Sequence, residues 1–240
     1  MRTLTIQRAD ERFVTDAGWL YSLHNFNFGR HYHDNNQGHG LLLVSNDDVV
    51  APGHGFGTHG HSDMEIVTWV LSGRLEHHDS EGNHSVLYPG LGQRMSAGAG
   101  IRHSEMNASP DEAVHFVQMW LSPDTNGVQP SYEQHDFNDQ LSAGGLVAIA
   151  SGQGHEGALS LQQKGAALWA VRLKAAETVA ISASPHVHVF VALGSGALVG
   201  VCELDTGDAV RLTYRREGHG DGLSFVAGME GAELLIWATD

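Results

Sequence analysis

The chain reads GHGFGTHGHSDME over residues 53–65, and two of its histidines, His59 and His61, lie two positions apart. About forty residues later, residues 95–107 read MSAGAGIRHSEMN, in which His103 and Glu105 have the same spacing. On a β-strand, residues i and i+2 leave the same face about 6.6 Å apart, since the strand rises about 3.3 Å per residue. Two such strands facing each other would bring together three imidazoles and one carboxylate, which suit a divalent first-row metal.

Strand signals dominate the rest of the chain. Short apolar runs alternate with clusters of Gly, Asn, Asp and Ser, and few windows follow the 3.6-residue period of a helix. The runs include residues 41–44, 66–71, 114–121, 168–173, 188–193 and 233–237. The 30 glycines suit tight connections, and the Gly-rich stretch 218–222 predicts one such turn. The pattern predicts an all-β protein built as barrels or sandwiches.

The two halves of the chain resemble each other weakly. Residues 68–83 and 189–208 both predict a strand, a Gly turn, a second strand and an acidic turn that contains Gly, which indicates duplication of one barrel. Between the halves, residues 122–142 are polar, hold two of the six prolines and lack strand alternation. We therefore predict an N-terminal metal-binding domain over residues 1–125, a linker over 126–143 and a second β domain over 144–240.

Composition excludes several classes of function. Asp and Glu outnumber Lys and Arg by 28 to 13, so a nucleic acid would meet a like-charged surface and direct binding is not expected. The single cysteine, Cys202, allows no internal disulfide and no Cys-based metal site, which fits a reducing cytoplasm. No apolar run approaches the roughly 18 residues of a membrane span, and the first residues show no apolar core of a signal peptide. We expect a cytoplasmic monomer without a membrane partner.

The two histidine motifs resemble those of the cupin superfamily and, more specifically, the pirin family. The matching stretches are GFGTHGHSDMEIVTWVLSGRLEHHDSEGN (55–83) and MSAGAGIRHSEMN (95–107), with SNDDVVAPG (45–53) and VQMWLSP (117–123) on either side. The resemblance implies a bicupin, two jelly-roll β-barrels in tandem. It also implies one divalent metal ion in the N-terminal barrel, held by His59, His61, His103 and Glu105, and a degenerate C-terminal cupin without metal.

The chain is most similar to the bacterial quercetinase-like branch of that family. This resemblance implies an Fe(II)-dependent dioxygenase that cleaves flavonols such as quercetin with O2 and releases CO. The same ligands also suit manganese, cobalt, nickel, copper or zinc. Glu105 would be both a ligand and the catalytic base that takes the flavonol 3-hydroxyl proton. The alternative is a non-catalytic metal-binding pirin that acts as a regulatory or protein-binding module, and it would use the same ligands.

Glu65 is the main rival of Glu105, because many cupins use the acid four residues after the second histidine. Its parity matches that of His59 and His61, so it could also point inward and orient an imidazole. The sequence departs from the family pattern at Gly60, which stands where the family usually has Pro. Because Gly loses more conformational entropy on ordering, we expect weaker metal retention but an intact site.

Other histidines are expected to play no part in the site. Five are expected in solvated loops or hairpin turns: His31, His33, His54, His77 and His78. His54 precedes the first motif and could lie near the mouth of a pocket. His186 and His188 repeat the i, i+2 spacing, but no Gly-rich turn with His-x-Glu follows them. A structural or surface role is therefore favoured for this pair.

Overall fold

The structure is a computed structural model that describes residues 2–214 and 222–240, so residues 218–221 of the predicted Gly-rich turn lie outside the described residues. The all-β prediction is confirmed: besides strands, the described residues form one 3-10 turn, Ala9–Glu11, and one short helix, α1 (Asn138–Ala143). No helix in these ranges is long and apolar enough to cross a membrane. The strands are β1 (Arg2–Gln7), β2 (Phe13–Asp16), β3 (Leu20–His24), β4 (Leu42–Val50), β5 (Gly55–His61), β6 (Glu65–Ser72), β7 (Leu75–Asp79), β8 (His84–Leu87), β9 (Leu91–Ser96), β10 (Ile101–Asn107), β11 (Val114–Leu121), β12 (Ser131–Asp136), β13 (Val147–Ser151), β14 (Leu159–Ser160), β15 (Ala166–Leu173), β16 (Thr178–Ile181), β17 (His186–Leu198), β18 (Cys202–Asp205), β19 (Ala209–Tyr214) and β20 (Leu223–Thr239).

The strands form three sheets. The large N-terminal sheet has the order β12-β9-β6-β11-β4-β3-β2, and the small N-terminal sheet has the order β5-β10-β7-β8. The C-terminal sheet has the order β1-β19-β17-β20-β15-β13-β14, with β16 on β20 and β18 on β17. The two N-terminal sheets make the first barrel and the C-terminal sheet makes the second, as the bicupin prediction requires.

The period of two along each strand sends alternate side chains to different cores. On β6, Val70 faces the interior of the first barrel, whereas Trp69 faces a layer between the two barrels. On β17, Val189 fills the interior of the second barrel, whereas Phe190 faces the same layer from the other side. The barrels therefore pack face to face, and buried Glu233 fastens the contact by accepting the indole hydrogen bond of Trp69 at 2.6 Å.

Residues 122–142, which the sequence predicts to be a linker without strands, contain one strand. β12 lies within them and pairs antiparallel with β9 at the edge of the large N-terminal sheet. Its polar sequence reflects an edge strand with side chains in water, while Phe137 and Leu141 are buried in the layer between the barrels. The N-terminal strand β1 also departs from the predicted limits, because it pairs with β19 of the C-terminal sheet.

Candidate metal centre

Strands β5 and β10 bring the three predicted imidazoles together. They pair antiparallel, with His59 opposite His103 and His61 opposite Ile101. The ring centroids of His59 and His103 are 4.4 Å apart, those of His59 and His61 are 4.9 Å apart, and those of His61 and His103 are 5.0 Å apart. Each ring offers one nitrogen that lies within 4.8 Å of the nitrogens offered by the other two. The i, i+2 spacing thus brings the three imidazoles together, as the sequence predicts.

The hydrogen bonding of these rings fits a bound metal. His59 donates from Nδ1 to the backbone oxygen of Gly57 at 2.8 Å, which leaves Nε2 with a free lone pair. His61 Nε2 and both ring nitrogens of His103 are buried without a hydrogen-bond partner among the described residues. Because buried polar atoms are almost always paired, converging unpaired nitrogens call for a ligand that accepts lone pairs. A divalent metal ion is such a ligand.

The protonation states also suit metal binding. Burial, reinforced by the neighbouring imidazoles, lowers the pKa of His61 to about 4 and that of His103 to about 3. Both rings are therefore neutral near pH 7, which is the form that coordinates a metal. Burial raises the pKa of Glu105, so in this pocket its negative charge is costly until a cation or a donor balances it.

Glu105 reaches the cluster through an irregularity in β10. Between His103 and Glu105 the pairing with β5 shifts, so that Glu105 lies opposite Phe56. Glu105 shares a second group of potential ligand atoms with His103, again within 4.8 Å of one another. The structure therefore groups Glu105 with His103 and His77, and not directly with His59 and His61; His103 belongs to both groups.

Gln118 on β11 holds the Glu105 carboxylate. Its side-chain Nε2 donates to Oε1 at 2.9 Å and to Oε2 at 2.8 Å. Trp120 donates from its indole nitrogen to Gln118 Oε1 at 3.0 Å, which fixes the orientation of the amide. Sequence reasoning missed Gln118, although VQMWLSP was part of the resemblance. Strand alternation from Trp120 would have indicated that the two residues share a face.

His77 also lies at the centre, and its predicted exposure is wrong. It is fully buried, with its ring centroid 5.3 Å from that of His103, and it completes the second group with His103 and Glu105. Its Nε2 donates to Asp79 at 3.3 Å. The prediction of exposure holds for His78, which lies on the other face of β7. Alternation with buried Leu75 would have identified the inward face.

Glu65 does not take part in the cluster, so the expectation that it could point inward is wrong. Asp63 has a positive φ of 48°, and this turn between β5 and β6 breaks the parity counted from His61. Glu65 instead faces the layer between the barrels. There it accepts hydrogen bonds from Ser96 Oγ at 2.8 Å and from the backbone nitrogen of Gln162 at 3.0 Å.

The second pair of histidines faces away from the second barrel's interior. Val187 and Val189 fill that interior, so His188 is turned toward the first barrel, where its ring lies 5.5 Å from that of Phe26. His186 Nδ1 is hydrogen-bonded to Thr213 Oγ1 at 3.3 Å. No group of three potential ligands in the described residues includes either histidine. A structural role is consistent with this placement.

The loop histidines outside the centre differ in how exposed they are, whereas the sequence predicts that all are solvated. His54 is exposed and stacks, with a centroid distance of 6.5 Å, on Trp19, which lines the pocket described next. His31 is half-buried, stacked on Phe13 at 5.3 Å, whereas His33 is exposed. The fully solvated interpretation therefore holds for His33 and is wrong for His31.

A cavity of about 430 Å³ opens onto the cluster. Aromatic side chains of Trp19, Phe28, Phe56 and Trp120 line much of it. Asp48 lies on its wall, and burial raises the pKa of that carboxyl to about 7. The remaining lining residues are Thr15, Leu20, Ser22, His24, Asn46, Gly55, Gly57, His59, His61, Glu105 and Gln118. This side of the site was not predicted, because β3, β4 and the 24–31 loop reach it only through the barrel's curvature.

Tandem all-β barrels, with three imidazoles converging inside the first and a buried carboxylate close to one of them, define a bicupin. Comparison with known proteins identifies the family: residues 6–121 match the family model described as Pirin. A Mycobacterium tuberculosis protein that carries the provisional name quercetin 2,3-dioxygenase is 52% identical over 236 residues, covering 98% of this chain and 94% of the relative. The quercetin 2,3-dioxygenase of Escherichia coli strain K12 is 41% identical over 197 residues, covering 82% and 84%.

A solved structure supports the same family. The E. coli bacterial pirin YhhW in complex with nickel(II) superposes with a TM-score of 0.87 at 36% identity, covering 98% of both chains. The chain belongs to the pirin family. Its histidine and glutamate cluster, together with a nickel complex of a family member, supports a divalent metal at this centre.

Proposed function

We propose that this chain is a cytoplasmic, monomeric, metal-dependent dioxygenase that cleaves flavonols such as quercetin with O2 and releases CO. One observation carries the proposal: an aromatic-walled cavity ends on a cluster of three imidazoles beside a buried carboxylate. The names of its relatives support the same reaction. At the level of the family, they support a dioxygenase-like enzyme.

The cavity suits a small flat aromatic substrate. Its volume of about 430 Å³ falls within the range of small-molecule sites, which are mostly apolar with a few placed polar groups. Trp120 packs edge-on against His61 with a centroid distance of 4.9 Å, so an aromatic wall continues to the cluster itself. A ring system lying along that wall would present its polar edge to the imidazoles.

His59, His61, His103 and Glu105 would hold one ion, and we propose Fe(II). When bound, such an ion supplies a Lewis acid for the hydroxyl and ketone oxygens of a flavonol and a site for O2. The protein itself orients the ligands. The hydrogen bond from His59 Nδ1 to the backbone oxygen of Gly57 fixes the tautomer of that ring. Gln118 likewise holds the carboxylate of Glu105 toward the cavity.

Glu105 would then act as the base. Burial raises the pKa of this carboxyl, so it holds a proton more readily than an exposed glutamate does. In the proposed reaction, the flavonol 3-hydroxyl proton moves to a Glu105 oxygen and leaves an electron-rich flavonolate that reacts with O2. The ring-cleaved product and CO account for every atom of flavonol and O2, so no outside reductant is needed. Glu105 returns its proton to the product.

The proposal is tested by oxygen uptake of Fe(II)-loaded protein in the presence of quercetin. We expect uptake that stops when a chelator removes the metal. Metal-loaded protein that takes up no oxygen would remove this activity and favour the non-catalytic, regulatory role. The control is the His61→Ala variant, which should fold but retain little metal and take up no oxygen.

A further inference from the structure

A third group of potential metal ligands lies on the outside of the β7–β8 hairpin. It consists of Glu76, His78 and His84, whose ligand atoms lie within 4.8 Å of one another. We propose that this group, the hairpin site, binds one divalent transition-metal ion independently of the metal centre inside the barrel.

The strand pairing places the three side chains on one face. His78 and His84 are direct cross-strand partners, and their rings stack with centroids 3.8 Å apart and planes 15° apart. Glu76 lies two residues before His78, so both leave the same face of β7. That face is the outer one, because His77 between them is fully buried on the other side.

The donor atoms already converge. Glu76 Oε1 lies 3.3 Å from His78 Nε2 and 2.9 Å from His84 Nε2. Ligands bonded to a tetrahedral ion at about 2.0 to 2.1 Å lie about 3.3 to 3.4 Å from one another. The oxygen is therefore within a few tenths of an ångström of the spacing that an ion requires from each nitrogen. The stacked rings of His78 and His84 would rotate out of their parallel arrangement to aim both lone pairs at the ion. Water would fill the open position, since the side chains of His78 and His84 are 53% and 54% exposed.

The hairpin is held rigid, which limits the entropy lost on binding. Asp79 accepts hydrogen bonds from the backbone nitrogens of Glu81 at 3.0 Å and Asn83 at 2.9 Å, which closes the turn. The tip is also tied to β10, because the Ser80 backbone nitrogen donates to the oxygen of Arg102 at 2.8 Å.

The donor set selects the class of metal. Two imidazoles and one carboxylate suit zinc, nickel, copper or cobalt, whereas magnesium and calcium prefer oxygen ligands alone. Glu76 and His78 project outward from β7, whose opposite face carries His77, and His84 projects outward from β8. The hairpin site would therefore be loaded from solvent without opening the barrel.

The test is a zinc titration of the His61→Ala/His103→Ala variant, in which the barrel centre is disabled. We expect one zinc ion per chain with a dissociation constant below about 100 μM. Adding His84→Ala should weaken binding at least tenfold, whereas adding His54→Ala, which removes another exposed histidine, should leave it unchanged. Magnesium should not compete. Zinc binding that is absent, or that His84→Ala and His54→Ala affect equally, would overturn the proposal.

Equilibrium dialysis of the protein with an intact barrel centre provides a second measurement that does not depend on the double variant folding. The His84→Ala variant should bind one zinc ion fewer per chain than the wild type at saturating zinc. Equal zinc content in the two proteins would contradict the hairpin site. Neither result depends on whether the barrel centre catalyses a reaction.

Discussion

Replacing Gln118 with Leu should weaken metal binding at the barrel centre without changing any proposed ligand. The substitution removes the amide that donates to both oxygens of Glu105 at 2.9 and 2.8 Å. Losing a partner that orients a metal ligand typically lowers metal affinity or activity by about 10- to 100-fold. That range corresponds to about 1.4 to 2.8 kcal/mol and agrees with the roughly 1.5 to 3 kcal/mol of a hydrogen bond to a charged group.

The metal-free variant should also be less stable. Loss of about 1.5 to 3 kcal/mol in a chain of this length lowers the melting temperature by about 3 to 12 °C. The indole of Trp120 loses its acceptor as well, but Trp120 is only partly buried, so water can replace that bond at little cost.

The assay is competition for metal with a chromophoric chelator, combined with thermal unfolding of the metal-free protein. Gln163→Leu is the matched control, since this buried glutamine also makes two hydrogen bonds, to Ser122 and Gly165, away from the centre. It should lower stability but leave metal affinity unchanged. If Gln118→Leu bound metal as tightly as the wild type, or if both variants lost affinity equally, the role assigned to Gln118 would be refuted.

Four further predictions concern the same centre. His61→Ala should lower the metal content of protein purified without chelator from about one ion per chain to a small fraction, whereas His186→Ala should leave it unchanged in elemental analysis. Glu105→Gln should keep part of the metal but lose most turnover in oxygen uptake, and Glu65→Gln should lose much less; a Glu105→Gln enzyme at the wild-type rate would exclude the base assignment. Gly60→Ala meets only ordinary contacts, at 3.7 Å from the nearest atom, so reduced chain entropy should raise the melting temperature by about 1 to 4 °C and slow metal loss to a chelator. Because the pKa of His61 falls from 6.5 to about 4 on folding, the unfolded chain binds more protons in that window, and urea midpoints of metal-free protein should fall as pH drops from 6.5 toward 4.

Local spacing predicts the metal cluster because the cluster is formed by two strands, and side chains along a strand alternate with a known period of two. His59 with His61 and His103 with Glu105 each lie on one strand, and only the facing of those strands had to be inferred. The same reasoning fails where the period is interrupted. For Glu65, a single residue with positive φ, Asp63, reset the parity, and nothing in an isolated carboxylate's position indicates which core it will face.

Residues that reach the site from distant strands were the hardest to predict. Gln118 contacts Glu105, and Asp48 lines the cavity, because β11 and β4 curve around the barrel. Alternation shows which residues of one strand share a face, but not which distant strand that face meets. His77 was a different case, since alternation with Leu75 was visible but the neighbouring turn made exposure the simpler interpretation. The edge strand β12 falls within the predicted linker because its solvated outer face gives it a polar sequence without alternation.

The central claim is tested most directly by measuring O2 consumption and CO release together during quercetin turnover by Fe(II)-loaded protein. The account predicts that one CO is released for each O2 consumed and that both stop on chelation and resume when metal is restored. A fully metal-loaded, folded protein that consumes no O2 and releases no CO with quercetin would contradict it.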